Sequence, residues 1–140
     1  MDPSTCEFCE TPGGAVLWRN ATCRVVRVDE PDYPGFMRVI LGRHATELSD
    51  LPEAEFLAFM QVVRGVEAAV REAMQPDKVN VASLGNQTPH LHWHVIPRFR
   101  DDRHFPTPIW AAPQRAATLN PDREARARQV SAALRAHLGA

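Results

Sequence analysis

His90, His92 and His94 stand at alternate positions, with Leu91, Trp93 and Val95 between them. Successive side chains of an extended chain point to opposite faces. This spacing therefore lines three imidazoles along one face of a strand and three apolar side chains along the other. Neutral imidazole is both a nucleophile and a metal ligand, and its pKa lies near neutrality. A lone His in a strand is ordinarily a hydrogen-bonded structural residue. Three of the chain's six His in one alternating run form a chemical site. The internal position and the apolar spacers exclude an affinity tag.

A second constellation is Cys6-Glu7-Phe8-Cys9. Three Cys in the whole chain are too few for a disulfide framework. No βαβ pattern follows the pair, so metal binding is the better reading than a thioredoxin-like redox motif. Such a knuckle supplies two of the four tetrahedral ligands that zinc prefers. Cys23, between Thr22 and Arg24, reads as a small strand residue.

The run His90 to Ile96 has the form His-φ-His-φ-His-φ-φ, and it resembles the motif of the histidine triad (HIT) family of nucleotide hydrolases and transferases. Pro97-Arg98 continue it as in many bacterial members. The Cys6/Cys9 pair resembles that of zinc-containing members. Asp29 opens a segment ending in Pro34-Gly35, and Val39 to His44 resembles the family strand that ends in a basic residue and a His. The resemblance spans about residues 6 to 110.

The resemblance implies a division of labour. His92 would be the nucleophile, forming a nucleotidyl-histidine that water or another acceptor resolves. His94 would hydrogen-bond the phosphate oxygens or the leaving group. Cys6, Cys9, His44 and His90 would hold a closed, structural zinc. Asp29 would accept hydrogen bonds from ribose hydroxyls, and Asn80 and Asn86 or Gln87 would contact phosphates. The implied substrates are dinucleoside polyphosphates or nucleoside phosphoramidates, and the implied assembly is a two-fold homodimer. Phe36 departs from the pattern, because many members carry a His after the Pro-Gly pair. That departure keeps open a nucleotide-binding or sensing module with negligible turnover. A catalytic iron or copper on the three His is a further alternative.

Elements must position these residues. Ala15 to Arg19 and Cys23 to Asp29 read as a hairpin turning at Asn20-Ala21, and Phe36 to Leu41 as the next strand. Asp50 with Glu53 offers a capping box for a helix running to about Met74. Phe56, Phe59, Met60, Val63, Val66 and Val70 recur on one of its faces. Val79 to Leu84 is a strand, Gly85 to Pro89 a loop that could cradle phosphates, and His90 to Phe99 the strand with the triad. Arg100 to Leu119 is irregular. Its Arg103, His104 and Trp110 are candidates to close over a phosphate. A last helix begins at Asn120-Pro121 and runs to about Leu138. This order predicts an α+β domain with a sheet covered by helices on one side. The family resemblance makes it a five-stranded antiparallel sheet with a long helix and a C-terminal helix.

The chain of 140 residues reads as one domain, 1–140, with 44% hydrophobic and 24% charged residues and a net charge of −1. No global field favours nucleic acid or a membrane surface, so anions must be bound locally. No run of eighteen apolar residues occurs, and the amino terminus lacks the pattern of a signal peptide. A cytoplasmic location is the expectation.

Overall fold

The computed structural model describes residues 3–140. Five antiparallel strands run β1 (Ala15–Arg19), β2 (Cys23–Arg27), β3 (Met37–Leu41), β4 (Lys78–Ala82) and β5 (His92–Arg98). They assemble in the order β1-β2-β3-β5-β4, so the triad strand lies inside the sheet between β3 and β4. Asn20 makes the β1–β2 turn, its side-chain oxygen accepting from the N–H groups of Thr22 and Cys23 at 2.9 Å each.

Among the described residues the α-helices are α1 (Glu7–Glu10), α2 (Glu53–Met74), α3 (Pro121–Ala127) and α4 (Val130–Leu138). Phe59, Val63, Val66 and Val70 of α2 are buried, while Phe56 and Met60 are partly buried beside them. They pack against Val25, Met37, Val39, Leu41, Leu91 and Val95 from one face of the sheet. The spacings of 3.6 and 2 read from the sequence thus meet in one core. Helix α2 stops where Gln75 takes a left-handed conformation (φ 52°, ψ 51°) before Pro76. Among the described residues, no helix is long and apolar enough to cross a membrane.

Among the described residues, the single turn of α1 is the only α-helix that packs on the opposite face of the sheet. Val26 and Ile40 are covered there by Cys6 and Phe8 from the amino-terminal knuckle. Ile96 is covered by Tyr33 and Phe36. A gap remains between these two clusters, and it is there that His92 and His94 project.

Several boundaries differ from the sequence reading. β2 ends at Arg27, β4 at Ala82 and β5 starts at His92, so His90 and Leu91 precede the strand. The Asp50–Glu53 capping box does not form. Leu51, before Pro52, is extended (φ −89°, ψ 135°), as the residue preceding a proline prefers, which separates Asp50 from the helix. Asp50 instead makes a capping box with Glu47 around a 3-10 turn, Leu48–Asp50. The expected last helix begins at Asn120 but divides at Arg128–Gln129. Its first part is tied down by polar contacts, Arg123 to Asp101 and Arg126 to the Met74 carbonyl. The second part buries Val130 and Leu134. The break allows both sets of anchors to be met.

Candidate active site

Pairing places the site residues. Ile40 lies opposite His92, and Arg38 opposite His94, across the β3–β5 ladder. Ser83 donates its hydroxyl to the His92 carbonyl at 2.6 Å, clamping the strand from the loop after β4. The His92 ring places Nδ1 2.6 Å from the His90 carbonyl oxygen. Only an N–H can donate there, so Nδ1 carries the proton and Nε2 the lone pair. The hydrogen bond selects the tautomer that a nucleophile needs.

His92 and His94 line a cleft of about 350 Å³, together with Arg38, Asn86, Gln87 and Trp110. That volume falls within the range of small-molecule sites. Glu7 and Phe8 form the wall on the knuckle side, and Phe8 meets the His92 ring edge-on at 4.8 Å. His94 is flanked by His92 at 4.9 Å, Trp110 at 5.0 Å and Phe36 at 5.7 Å between ring centroids. Its Nδ1 is buried without a partner. An unpaired buried acceptor is less costly than an orphaned N–H, which favours a lone pair on Nδ1 and an Nε2–H donor toward the cleft.

Burial, and then the charges of Arg38 and the neighbouring imidazole, press the two ring pKa values down. His92 lies below its usual value and His94 falls to about 3. Both imidazoles are therefore neutral at pH 7. A His with a depressed folded-state pKa contributes stability that is complete above its unfolded pKa and is lost as pH falls. Between pH 7 and pH 5 the unfolded chain gains the His94 proton and the folded chain does not. Urea melts are expected to show a loss of about 2 kcal/mol from this group by pH 5. The His94→Asn variant should show a correspondingly flatter pH profile, and an identical profile would contradict the assignment.

The third triad residue faces elsewhere. His90 donates from Nε2 to the Leu41 carbonyl at 2.8 Å, which leaves the Nδ1 lone pair free for a metal. That atom lies 3.3 Å from Cys6 Sγ and 3.5 Å from Cys9 Sγ, and His44 Nδ1 lies 3.4 Å from Cys9 Sγ. All four ligand atoms fall within 4.8 Å of one another. A tetrahedral zinc with ordinary bond lengths requires sulfur–nitrogen separations of about 3.6 Å. The donor set fits. Among the described residues no metal-type cluster includes His92 or His94, so the structure gives the alternative of a triad-bound iron or copper no support. The three imidazoles do not act as one row, because the chain turns at His90 before the strand begins.

Other predicted residues are distributed as follows. Asn86 and Gln87 line the cleft, in the loop that Gly85 turns with φ +77°. Asn80 does not reach it. Its side-chain oxygen accepts from Arg98 at 2.7 Å. Asp29 is exposed and lines a separate depression with Arg27, Glu30 and Arg128. Of the tail residues, Trp110 reaches the cleft, whereas His104 is buried 2.5 Å from the Tyr33 hydroxyl and Arg103 pairs with Asp32.

Arg98 explains how that tail is held. Its guanidinium is buried (2% exposed) and donates to both oxygens of Asp102, to Asn80 and to the Thr107 carbonyl. Burial raises the Asp102 pKa, but bonds from Arg98 and from the N–H groups of Phe99, His104 and Phe105 outweigh it and hold the group at about 2. Asp102→Ala would leave a buried cation unpaired. A loss of about 3–5 kcal/mol is expected in denaturant melts, together with a changed environment for the Trp110 fluorescence. A loss below about 1 kcal/mol would show that the pair is not holding the loop.

Sequence reading missed Arg38, Glu7 and Phe8. A signal existed for Arg38: within a strand whose alternate residues are apolar, it lies on the face opposite the core.

The HIT domain profile matches residues 13–101, which is more than half of the chain. The chain belongs to the HIT family. A histidine triad protein of Bradyrhizobium japonicum is similar in structure, with TM-score 0.73 and 27% identity over 91% of this chain and 92% of that one. A zinc-bound HIT protein of Mycobacterium smegmatis shares the fold, with TM-score 0.67 and 24% identity over 95% of each chain. An AP-4-A phosphorylase of Mycobacterium tuberculosis is 31% identical over 102 residues, 69% of this chain and 52% of its own length. An asymmetrical bis(5'-nucleosyl)-tetraphosphatase of Schizosaccharomyces pombe is 26% identical over 106 residues, 71% of this chain and 58% of its own. The chain thus spans about half the length of the curated relatives it matches. The five-stranded HIT sheet with its long helix and C-terminal helical segment is the architecture predicted from the sequence.

Proposed function

We propose that this HIT protein transfers or hydrolyses a nucleotidyl group through a covalent intermediate on His92. The observation that carries the proposal is the 2.6 Å bond from His92 Nδ1 to the His90 carbonyl, beside a cleft of nucleotide size. In the first step the Nε2 lone pair attacks the α-phosphorus. A P–N bond forms and the P–O bond to the leaving phosphate breaks, its electron pair departing on oxygen. His94 donates to a phosphoryl oxygen, and the Asn86 and Gln87 amides supply further donors for the equatorial charge. Water, or inorganic phosphate, then attacks phosphorus and returns the lone pair to Nε2, the proton of the attacking water passing to solvent. The names of the curated relatives favour a dinucleoside polyphosphate as substrate.

A zinc on Cys6, Cys9, His44 and His90 would cross-link the knuckle to the sheet. Its four-ligand site keeps no open position for a substrate. These residues would thereby set the backbone of His90, to which His92 is bonded, and seat Phe8 against the His92 ring. The family pattern assigns Asp29 to the ribose hydroxyls, although it lies outside the residues that line the cleft, and makes a homodimer the assembly.

The test is rapid-quench trapping with radiolabelled diadenosine tetraphosphate at neutral pH. Expected is an acid-labile, base-stable label on the wild-type chain that is absent from His92→Ala. Phe36, apolar where many members have His, packs on His94 and favours one rival, a nucleotide-binding module without turnover. Binding without label would establish that rival.

A further inference from the structure

Arg98 and Arg38 both reach into the fold, and the protein treats them differently. Arg98 is surrounded by a carboxylate, an amide oxygen and a carbonyl. Arg38 has no carboxylate within salt-bridge distance among the described residues. Its NH1 donates to the Gly13 carbonyl at 2.9 Å, its guanidinium lies 5.2 Å from the centre of the Phe8 ring, and its Nε is buried without a partner. It is half-buried, and water supplies only part of what a counter-ion would.

The strand pattern decides where this charge is aimed. Met37, Val39 and Leu41 enter the core, which turns Arg38 to the face that carries the imidazoles, opposite His94. Arg38 is the only arginine or lysine among the residues lining the cleft. The other polar groups there are amides, a hydroxyl, two neutral imidazoles and the exposed carboxylate of Glu7, whose charge is more strongly screened by solvent. Phe36 adds no polar atom.

We propose that Arg38 is the phosphate-recognition residue of this cleft, its guanidinium gripping the non-bridging oxygens of the phosphoryl group presented to His92. The inference rests on reading the cleft as a nucleotidyl-transfer site, and it narrows the ligand class: nucleotides are taken and nucleosides are refused. A planar fork of N–H donors matches two phosphoryl oxygens at once, and a desolvated cation without a carboxylate gains the most from an anionic ligand. Using a carboxylate at this position would neutralise the very charge the phosphate needs.

The experiment is calorimetric titration of the metal-loaded protein with AMP and with adenosine, in wild type and in Arg38→Met, whose apolar chain keeps the stem packing on Phe8. The wild type is expected to prefer AMP over adenosine, and Arg38→Met to weaken AMP at least about tenfold while adenosine stays within about twofold. Arg38→Lys, retaining charge without the fork, should fall between. If Arg38→Met unfolds, Arg38→Gln gives the same readout, because it removes the charge and keeps a polar N–H donor on the strand. Equal losses for the two ligands, or unchanged AMP binding, overturn the inference.

Adduct trapping on the same proteins separates the two ideas. A labelled wild type whose Arg38→Met variant binds AMP undiminished leaves the transfer reading standing and sinks this one. An unlabelled wild type whose AMP affinity collapses on Arg38→Met supports phosphate recognition and sinks transfer. A wild type that binds neither ligand and takes no label overturns both.

Discussion

His92→Ala is expected to lower turnover of diadenosine tetraphosphate by at least about a thousandfold while the protein stays folded. The replacement removes the only imidazole whose tautomer is set by a hydrogen bond within the cleft. Truncation leaves the His90 carbonyl without its donor, which costs about 1 kcal/mol in a strand otherwise bonded on both sides. His92→Asn is the sharper variant, since its amide nitrogen can still reach the carbonyl and keep the backbone in place. It has no lone-pair nitrogen with which to attack phosphorus. Both variants should be inactive and should bind AMP about as the wild type does. Turnover by His92→Asn within tenfold of wild type would rule out attack by this ring.

The second large effect concerns the metal. Cys9 is exposed, so Cys9→Ser removes a thiolate without opening a cavity in the core. With one tetrahedral ligand lost, the zinc content measured by plasma emission should fall from about one per chain to near zero. The melting temperature should drop by about 10 °C, corresponding to roughly 3 kcal/mol in a domain of this size. Chelation of the wild type should reproduce the drop, and chelation of the variant should add little. Activity should fall as well, because the knuckle brings Phe8 and Glu7 to the cleft and fixes the turn whose carbonyl orients His92. A wild-type protein purified without zinc and indifferent to chelator would refute the site.

That His92 and His94 share a face was legible in the chain, because alternation with Trp93 and Val95 is a local signal that a strand converts directly into facing. The long helix was equally legible in its apolar spacing, and its end in Gln75-Pro76. Boundary details escaped where two local signals competed. Asp50 and Glu53 have the spacing of a capping box, yet Pro52 between them imposes an extended residue before it. Asn80 and Asp29 were assigned by resemblance in sequence position. Their surroundings were decided by partners elsewhere, Arg98 in one case and a solvent-exposed turn in the other.

By itself the sequence determined which residues have chemistry to offer: paired thiols, alternating imidazoles, and a period-2 and a period-3.6 hydrophobic pattern that must share one core. Those are properties of neighbours along the chain, governed by backbone geometry within a few residues. Only the tertiary structure decided how the imidazoles divide, with His90 turned to Cys6, 84 residues away, and His92 left for the cleft. It alone showed that Arg38 stands opposite His94 with no carboxylate within salt-bridge distance among the described residues. The physical reason is that desolvation, charge pairing and ligand geometry depend on which distant side chains converge, and convergence is set by the packing of whole elements.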